Sequence, residues 1–232
     1  MRTLYPRTLT WVELRNYVKH CKGPLVIPIG SVESHGAHLP IDTDTLIASF
    51  VADELAKRNG WVSLPPITYS IAIPVRVANV RVEPKVFSRY LESVLKHFLS
   101  FGQKEFIVIL GHGGHEMKKA IEEACSSVCS EGASIAVFHV SKALKDLGLV
   151  NTEIDRHAGW WETSLVMALD PNLVKDLRVY EGVEDLRALG VYGNPFEASR
   201  EKGFELINEL VNYISKFVYE RKLSGCFFNW RS

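Results

Sequence analysis

The residues best suited to chemistry lie in Gly30-Ser-Val-Glu-Ser-His-Gly-Ala-His-Leu-Pro-Ile-Asp-Thr-Asp44, where Glu33, His35, His38, Asp42 and Asp44 crowd one short stretch. Carboxylate oxygens and neutral imidazole nitrogens together form the donor set of a zinc, manganese or iron(II) site. Glu33 and His35 are one residue apart, so in an extended segment both project to the same side. Asp44 falls where a helix should open, with its side chain free to turn back towards them. A second concentration is Gly111-His-Gly-Gly-His115, whose glycines allow a sharp turn that presents His112. A third is Arg156-His-Ala-Gly-Trp-Trp-Glu-Thr-Ser164. There His157 precedes a helical pattern and Glu162 stands near its start, a place where a carboxylate also stabilises the helix without any further role.

Positioning these groups requires strands that end where they begin. Pro24-Leu-Val-Ile-Pro-Ile29 and Phe106-Ile-Val-Ile-Leu110 are short apolar runs that read as buried strands, and each leads directly into one of the first two motifs. In a parallel sheet both loops open on the same edge, the usual place for a ligand in open α/β sheets. Thr10-Trp-Val-Glu13 has the form of a capping box and predicts a helix to about Cys21. Thr43 is expected to cap a helix that stops at Gly60. Trp61–Leu64 reads as a short strand, and 65–83 as an irregular edge ribbon or flap. Pro84 fits the first turn of a helix ending at Gly102. A helix after His115, a strand at 134–138, a helix at 162–169 and a long helix from about Ser199 to Lys222 complete the pattern, with 176–198 loop-rich. Alternating strands and helices predict α/β architecture with a mostly parallel sheet in one domain spanning residues 1–232.

The chain has 232 residues, 47% of them hydrophobic, enough for a sizeable core. Lys plus Arg and Asp plus Glu both number 27, so formal charge is zero. That balance argues against nucleic acid or an anionic membrane as the main partner. No leader-like segment opens the chain and no apolar run is long enough to span a bilayer, so a cytoplasmic location is expected. Cys21, Cys125, Cys129 and Cys226 form no Cys-x-x-Cys and are read as reduced, buried thiols. The tail Cys226-Phe-Phe-Asn-Trp230 is too aromatic to stand in water and should pack on the domain or on a second subunit. A homo-oligomer, from dimer to hexamer, is expected.

Taken in order, Gly-Ser-x-Glu-x-His-Gly-x-His-Leu-Pro-x-x-Thr-Asp, Gly-His-Gly-Gly and His-Ala-Gly-x-x-Glu-Thr-Ser resemble the creatininase (creatinine amidohydrolase) family. Gly190-Val-Tyr-Gly-Asn-Pro-Phe-Glu-Ala-Ser199 is similar to its C-terminal signature. The resemblance covers roughly residues 10 to 215. It implies a three-layer αβα sandwich and two divalent metal ions (zinc, iron(II) or manganese) bridged by an aspartate and a water. Carried over by position, Glu33 and His112 hold one metal, His35 the other, and Asp44 bridges. The family's creatininases place a further metal-binding glutamate where this chain has Gly114. Glu162 is therefore the candidate for the missing ligand, with Glu116 a weaker one. His157 matches the catalytic histidine. His115 stands where most members have Asn, Trp160 where many have Glu, and 68–83 lacks the pattern that helps shape the substrate pocket.

The resemblance implies hydrolysis of a non-peptide carbon–nitrogen amide bond in a small molecule, with His157 and Glu162 in the catalytic constellation and His157 giving a proton to the leaving nitrogen. Trp160 or Trp161 is a candidate cover for a planar ring. The chain's length favours the archaeal formamidopyrimidine deformylase branch of riboflavin and deazaflavin biosynthesis over a creatininase-like cyclic amidase. Arg76, Arg81 and Lys85 are candidate contacts for a phosphate. A metal-retaining binding protein without turnover would lack His157, and a flavodoxin-like nucleotide module would want a longer phosphate loop than Gly111–Gly114. His20, His97 and His139 read as structural or solvated, and His38 as a group that orients a ligand.

Overall fold

The computed structural model describes residues 9–20 and 23–231. Five strands, β1 (Leu25–Ile29), β2 (Val62–Ser63), β3 (Glu105–Leu110), β4 (Ser134–His139) and β5 (Cys226–Phe228), form one sheet in the order β2-β1-β3-β4-β5. Every pairing is parallel; β1 and β3 run in register from Leu25 opposite Phe106 to Ile29 opposite Leu110.

Successive residues of the central strands point to opposite faces, and both faces are covered. Ile107, Ile109, Ala136 and Phe138 pack on one side with α2 (Thr43–Asn59), α5 (Val140–Asp146), α6 (Trp160–Leu169) and α7 (Arg200–Arg221). Phe106, Val108, Leu110, Ile135 and Val137 pack on the other with α3 (Pro84–Ser100) and α4 (His115–Ser130), joined by Tyr17 of α1 (Trp11–Lys19). This is the expected three-layer αβα sandwich. Phe106 through Leu110 are wholly buried, each side chain contributing about 1.5–3 kcal/mol relative to exposure.

Local signals act as the sequence implies at most element ends. The Thr10 side chain accepts from the Glu13 N–H while Glu13 accepts from the Thr10 N–H, closing the capping box of α1. Gly60 ends α2 in the left-handed region at φ 71°, and Pro84 opens α3. Residues 176–198 carry short 3₁₀ turns, and 65–83 is a ribbon tied by bridges from Ile67 to Ile29 and from Ile71 to Arg81.

Two expectations need correction. Thr43 does not cap α2: it is the first helical residue, Asp42 holds the cap position, and the Thr43 hydroxyl donates instead to Pro40 O at 2.7 Å. The thiols are not all reduced, because Cys129 at the end of α4 is joined to Cys226 of β5. Cys125 is a buried free thiol, and Cys21 lies outside the described residues. The disulfide removes the cysteine-based argument for a reducing compartment. The short helix α5 has no counterpart in the sequence reading. The aromatic tail does pack on its own domain: β5 extends the sheet, and Phe227 stacks on Phe217 with ring centroids 4.2 Å apart. Among the described residues no helix is long and apolar enough to cross a membrane.

Candidate metal and catalytic centre

Two glycines bring the motif loops together. A Cβ on Gly30, just past β1, would sit 2.3 Å from the Thr45 backbone N, and one on Gly111, just past β3, 2.2 Å from Asp44 O. Only glycine permits such approach of backbone to backbone. The start of α2 is thereby wedged between the ends of β1 and β3, with Asp44 at the point of contact.

Around Asp44 the predicted residues converge. Its Oδ1 lies 3.2 Å from His35 Nε2. Its Oδ2 lies 3.2 Å from His112 Nδ1 and accepts from Ser31 Oγ at 2.7 Å. His112 Nδ1 is also 3.1 Å from Glu33 Oε1. His35 Nδ1 faces the Glu33 carbonyl at 3.2 Å, which as donor leaves the Nε2 lone pair turned towards Asp44. One ligand atom each from Glu33, Asp44 and His112 lies within 4.8 Å of the others, and the same holds for His35, Asp44 and Glu162 and for Glu33, His35 and His157. Asp44 thus belongs to two sets, one oxygen facing the imidazole of each.

The loop carrying His157 and Glu162 is fixed by contacts that its own motif does not announce. Asp155, buried just ahead of it, accepts the N–H groups of Trp160 at 3.1 Å and Asn194 at 2.9 Å. Gly159 and Gly193 leave room for that carboxylate; a Cβ on either would come within 2.3 Å of one of its oxygens. Sequence reasoning missed Asp155, and the flanking glycines were the only signal. Ala158 adopts φ 51°, an uncommon conformation for a residue with a side chain, and its N–H donates to Glu162 Oε2. His157 Nε2 donates to Ser34 O at 2.8 Å, leaving Nδ1 towards the cluster, 3.9 Å from Glu33 Oε1. The rings of His157 and His35 lie 4.2 Å apart. His38 hydrogen-bonds no candidate ligand among the described residues. It bridges Tyr180 OH at 2.7 Å and Thr163 Oγ1 at 2.9 Å, so it steadies α6 beside Glu162.

Electrostatics mark the cluster as short of positive charge. Burial alone would lower the His35 and His112 imidazoles, yet Asp44 and Glu33 raise them to about 9 and about 10. Burial works to raise Asp44, but His35 and His112 hold it well below the usual carboxylate range. Glu162 is pushed up to about 8, chiefly by burial. Burial, then the neighbouring His35, lowers His157 and keeps its imidazole neutral at neutral pH. Without cations the site balances three buried carboxylates by holding protons; divalent ions with deprotonated ligands satisfy the same charges. His112 Nε2 is buried without a partner, as an imidazole engaged through Nδ1 leaves it. The donor set fits a pair of divalent metal ions.

The cluster opens into a cavity of two adjoining lobes that share Glu33, His112, Gly114, Arg156 and His157. The inner lobe, about 440 Å³, adds Lys118, His139, Ser141 and Glu162. The outer lobe, about 460 Å³, adds Ile73, Val75, Arg76, Asn79 and Tyr192 from the 65–83 ribbon and the 190s segment. His139, expected to be structural or solvated, lines the cavity, held neutral by burial.

Other candidates fall away. Glu116 is spent on a two-pronged pair with Arg81 at 2.7 and 2.9 Å, so neither serves the site. Lys85 is exposed on α3 and lines neither lobe, whereas Arg76 does line the outer one. Trp161 is packed in the core, 1% exposed, with its indole donating to Asp155 O, and it also lines the inner lobe; Trp160 lies beneath Lys202 and lines neither lobe. His115, at the first position of α4, is not among the grouped ligands.

Residues 7–218 match the family described as Creatininase: Creatinine amidohydrolase. A mycofactocin precursor peptide peptidase of Mycobacterium ulcerans is 26% identical over 219 residues, covering 81% of both chains. A 2-amino-5-formylamino-6-ribosylaminopyrimidin-4(3H)-one 5′-monophosphate deformylase of Methanococcus maripaludis is 26% identical over 206 residues, covering 83% of this chain and 89% of its own. Solved creatininases described as a "Zn-Zn type" mutant and as "Creatininase Mn" superpose with a TM-score of 0.79 at 21% identity, covering 95% of this chain and 99% of theirs, which shows the shared fold. With the family's sequence pattern running through nearly the whole chain and its αβα architecture beneath it, the protein belongs to the creatininase family and is a hydrolase of carbon–nitrogen bonds.

Proposed function

We propose that the protein is a binuclear metal-dependent amidohydrolase that removes the formyl group from a formylaminopyrimidine nucleotide. The observation that carries the binuclear reading is Asp44, whose two oxygens face two separate sets of buried ligands. Glu33 and His112 hold one ion with Asp44, and His35 and Glu162 hold the other. Glu162 takes the place left by Gly114, and zinc, manganese and iron(II) all suit this donor set. Ions bound there supply Lewis acidity, polarising the amide carbonyl and lowering the pKa of water towards neutrality.

The protein's own groups do the rest. His157 is neutral, and the Ser34 carbonyl fixes its Nε2–H, so Nδ1 is the free acceptor facing the cluster. It takes a proton from the attacking water and returns it to the leaving nitrogen, work for which an imidazole is suited near neutral pH. Tyr180, His38 and Thr163 hold α6 in place, and Asp155 holds the turn that delivers His157 and Glu162 together.

The deformylase reading draws on the similarity across most of both chains to the M. maripaludis enzyme. A peptide is the second reading, because a peptidase matches this chain over a similar span. The test is formate release from the formylaminopyrimidine nucleotide by metal-loaded protein, run beside creatinine and short peptides. Formate release with the other two untouched is the expected result. Turnover of creatinine or of peptides alone would overturn the substrate assignment while leaving the metal centre standing. A small-molecule substrate and a cytoplasmic, homo-oligomeric protein belong to the same proposal.

A further inference from the structure

The outer lobe has a feature that the hydrolytic chemistry does not use. Arg76 and Arg156 both line it, and neither pairs with a carboxylate among the described residues. Neutral partners hold each guanidinium instead. Arg76 Nη2 donates to Ala188 O at 2.8 Å, and Nη1 stands 3.5 Å from Ser34 Oγ. Arg156 lies over the Tyr192 ring, 5.4 Å from its centroid, and its backbone N–H donates to Tyr192 O at 2.7 Å. Elsewhere on the surface Arg81, Arg178, Arg187 and Arg231 are each closed by a nearby acid.

The acids that border Arg156 on its outer side are also committed. Glu153 pairs with Lys145 at 3.2 Å, Asp185 with Arg187 at 2.9 Å, and Glu197 accepts from Asn194 Nδ2 at 2.8 Å; Asp155, buried behind them, spends Oδ2 on the N–H groups of Trp160 and Asn194 and forms no ion pair, its Oδ1 buried without a partner. Within the outer lobe the one carboxylate is Glu33, which the metal centre claims. The lobe is thus a mouth with two preorganised guanidinium groups, an apolar wall of Ile73 and Val75, and His157 at its base.

We propose that Arg76 and Arg156 clamp an oxyanion group of the substrate, a phosphate ester or a carboxylate, and so position the scissile amide over the metal centre. This rests on the amidohydrolase reading and deepens it by assigning the residues that hold the substrate's anionic group. A planar guanidinium matches phosphate and carboxylate oxygens two at a time, and a site already held by neutral partners loses little freedom on binding. The apolar wall takes the uncharged body between the anion and the amide.

The experiment has two arms. In the first, inorganic phosphate and acetate are titrated by calorimetry into metal-loaded wild type, Arg156→Gln, Arg76→Gln and the double variant, with Lys85→Gln as a charge-matched control outside the cavity. The double variant should bind phosphate at least about 10-fold more weakly than wild type, and the control should bind like wild type. Equal affinity in wild type and double variant would overturn the clamp. In the second arm KM and kcat are compared on matched pairs: the formylaminopyrimidine ribonucleotide against its dephosphorylated ribonucleoside, and a peptide with a free C-terminal carboxylate against the peptide amide. Wild type should favour the anionic member of one pair about 10- to 100-fold in KM, and Arg156→Gln should erase most of that preference with a smaller change in kcat. The pair that discriminates names the source of the anion. Equal use of both members of a cleaved pair would sink the clamp and leave the amidohydrolase intact. If neither pair is cleaved, the substrate reading fails, and the phosphate titration still decides the clamp.

Discussion

The floor and the mouth of the cavity are built on opposite plans. At the floor, Glu33, His35, Asp44, His112 and Glu162 are all buried, and each touches another member of the cluster or the backbone of its own loop. They sit in the loops that follow β1 and β3 and in the first turns of α2 and α6. At the mouth, Arg76, Val75, Ile73 and Tyr192 are exposed, on a ribbon with two isolated bridges and on a segment of short turns. On the proposed function the floor answers for the reaction, and the mouth for which molecule undergoes it. Substitutions should separate the two: floor variants should lose metal or turnover, and mouth variants should change KM.

The largest effect is expected from Asp44→Ala. Both ligand sets share this residue, so metal content measured by plasma mass spectrometry should fall from two equivalents to near none, and activity with it. Retention of a full equivalent pair would show that Asp44 bridges nothing. Next comes Glu162→Gln, which should cost one metal equivalent and nearly all turnover, while Glu116→Gln stays close to wild type because Glu116 is bound to Arg81. His157→Ala should keep both metals and reduce kcat by about 10²–10⁴. Loss of metal there would place His157 in the coordination sphere.

Protonation distinguishes the floor in a further way. In metal-free protein His35 and His112 have folded-state pKa values of about 9 and about 10, above the unfolded 6.5, and Glu162 about 8, above 4.5. For each, the folded state binds the proton more tightly. The stability so contributed is complete below the unfolded pKa and is lost as pH rises through the folded one. The Tm of metal-free protein should therefore fall between pH 6.5 and 9. Metal binding requires deprotonated ligands, so Tm of metal-loaded protein should hold or rise over the same window. A metal-free Tm that rises with pH would contradict the charge assignment at the floor.

The smallest effect is expected where floor and mouth are joined. Asp155→Ala strips the acceptor from the N–H groups of Trp160 and Asn194 and should cost about 1–3 kcal/mol in urea unfolding. Because His157 and Tyr192 are bridged across that junction, kcat should also drop.

What the sequence disclosed follows the same division. Glu33, His35, Asp44 and His112 are legible because their geometry is set locally, by short apolar strands and the glycines that follow them. Glu162 needed the absence of a carboxylate at position 114 to be noticed. Asp155 was hidden because its partners bind through backbone N–H groups of no particular residue type, and one of them, Asn194, is 39 residues away. The link between Cys129 and Cys226 was hidden for the same reason, since the two are 97 residues apart and no spacing rule joins them. It draws β5 against the edge of the sheet, where three residues carry too little pattern to be read as a strand. Arg76 and Arg156 could be seen as basic residues, but only the folded arrangement shows that their partners are neutral groups and not carboxylates.

The central claim, that Asp44 bridges two ions and Glu162 completes the second, is tested most directly by anomalous diffraction from crystals of metal-loaded protein. The expected result is two anomalous peaks about 3.5–4 Å apart with an Asp44 oxygen on each, and the Glu162 carboxylate within about 2.2 Å of the ion that His35 holds. A single peak, or a Glu162 carboxylate well beyond that distance and still bonded only to its own loop, would contradict it.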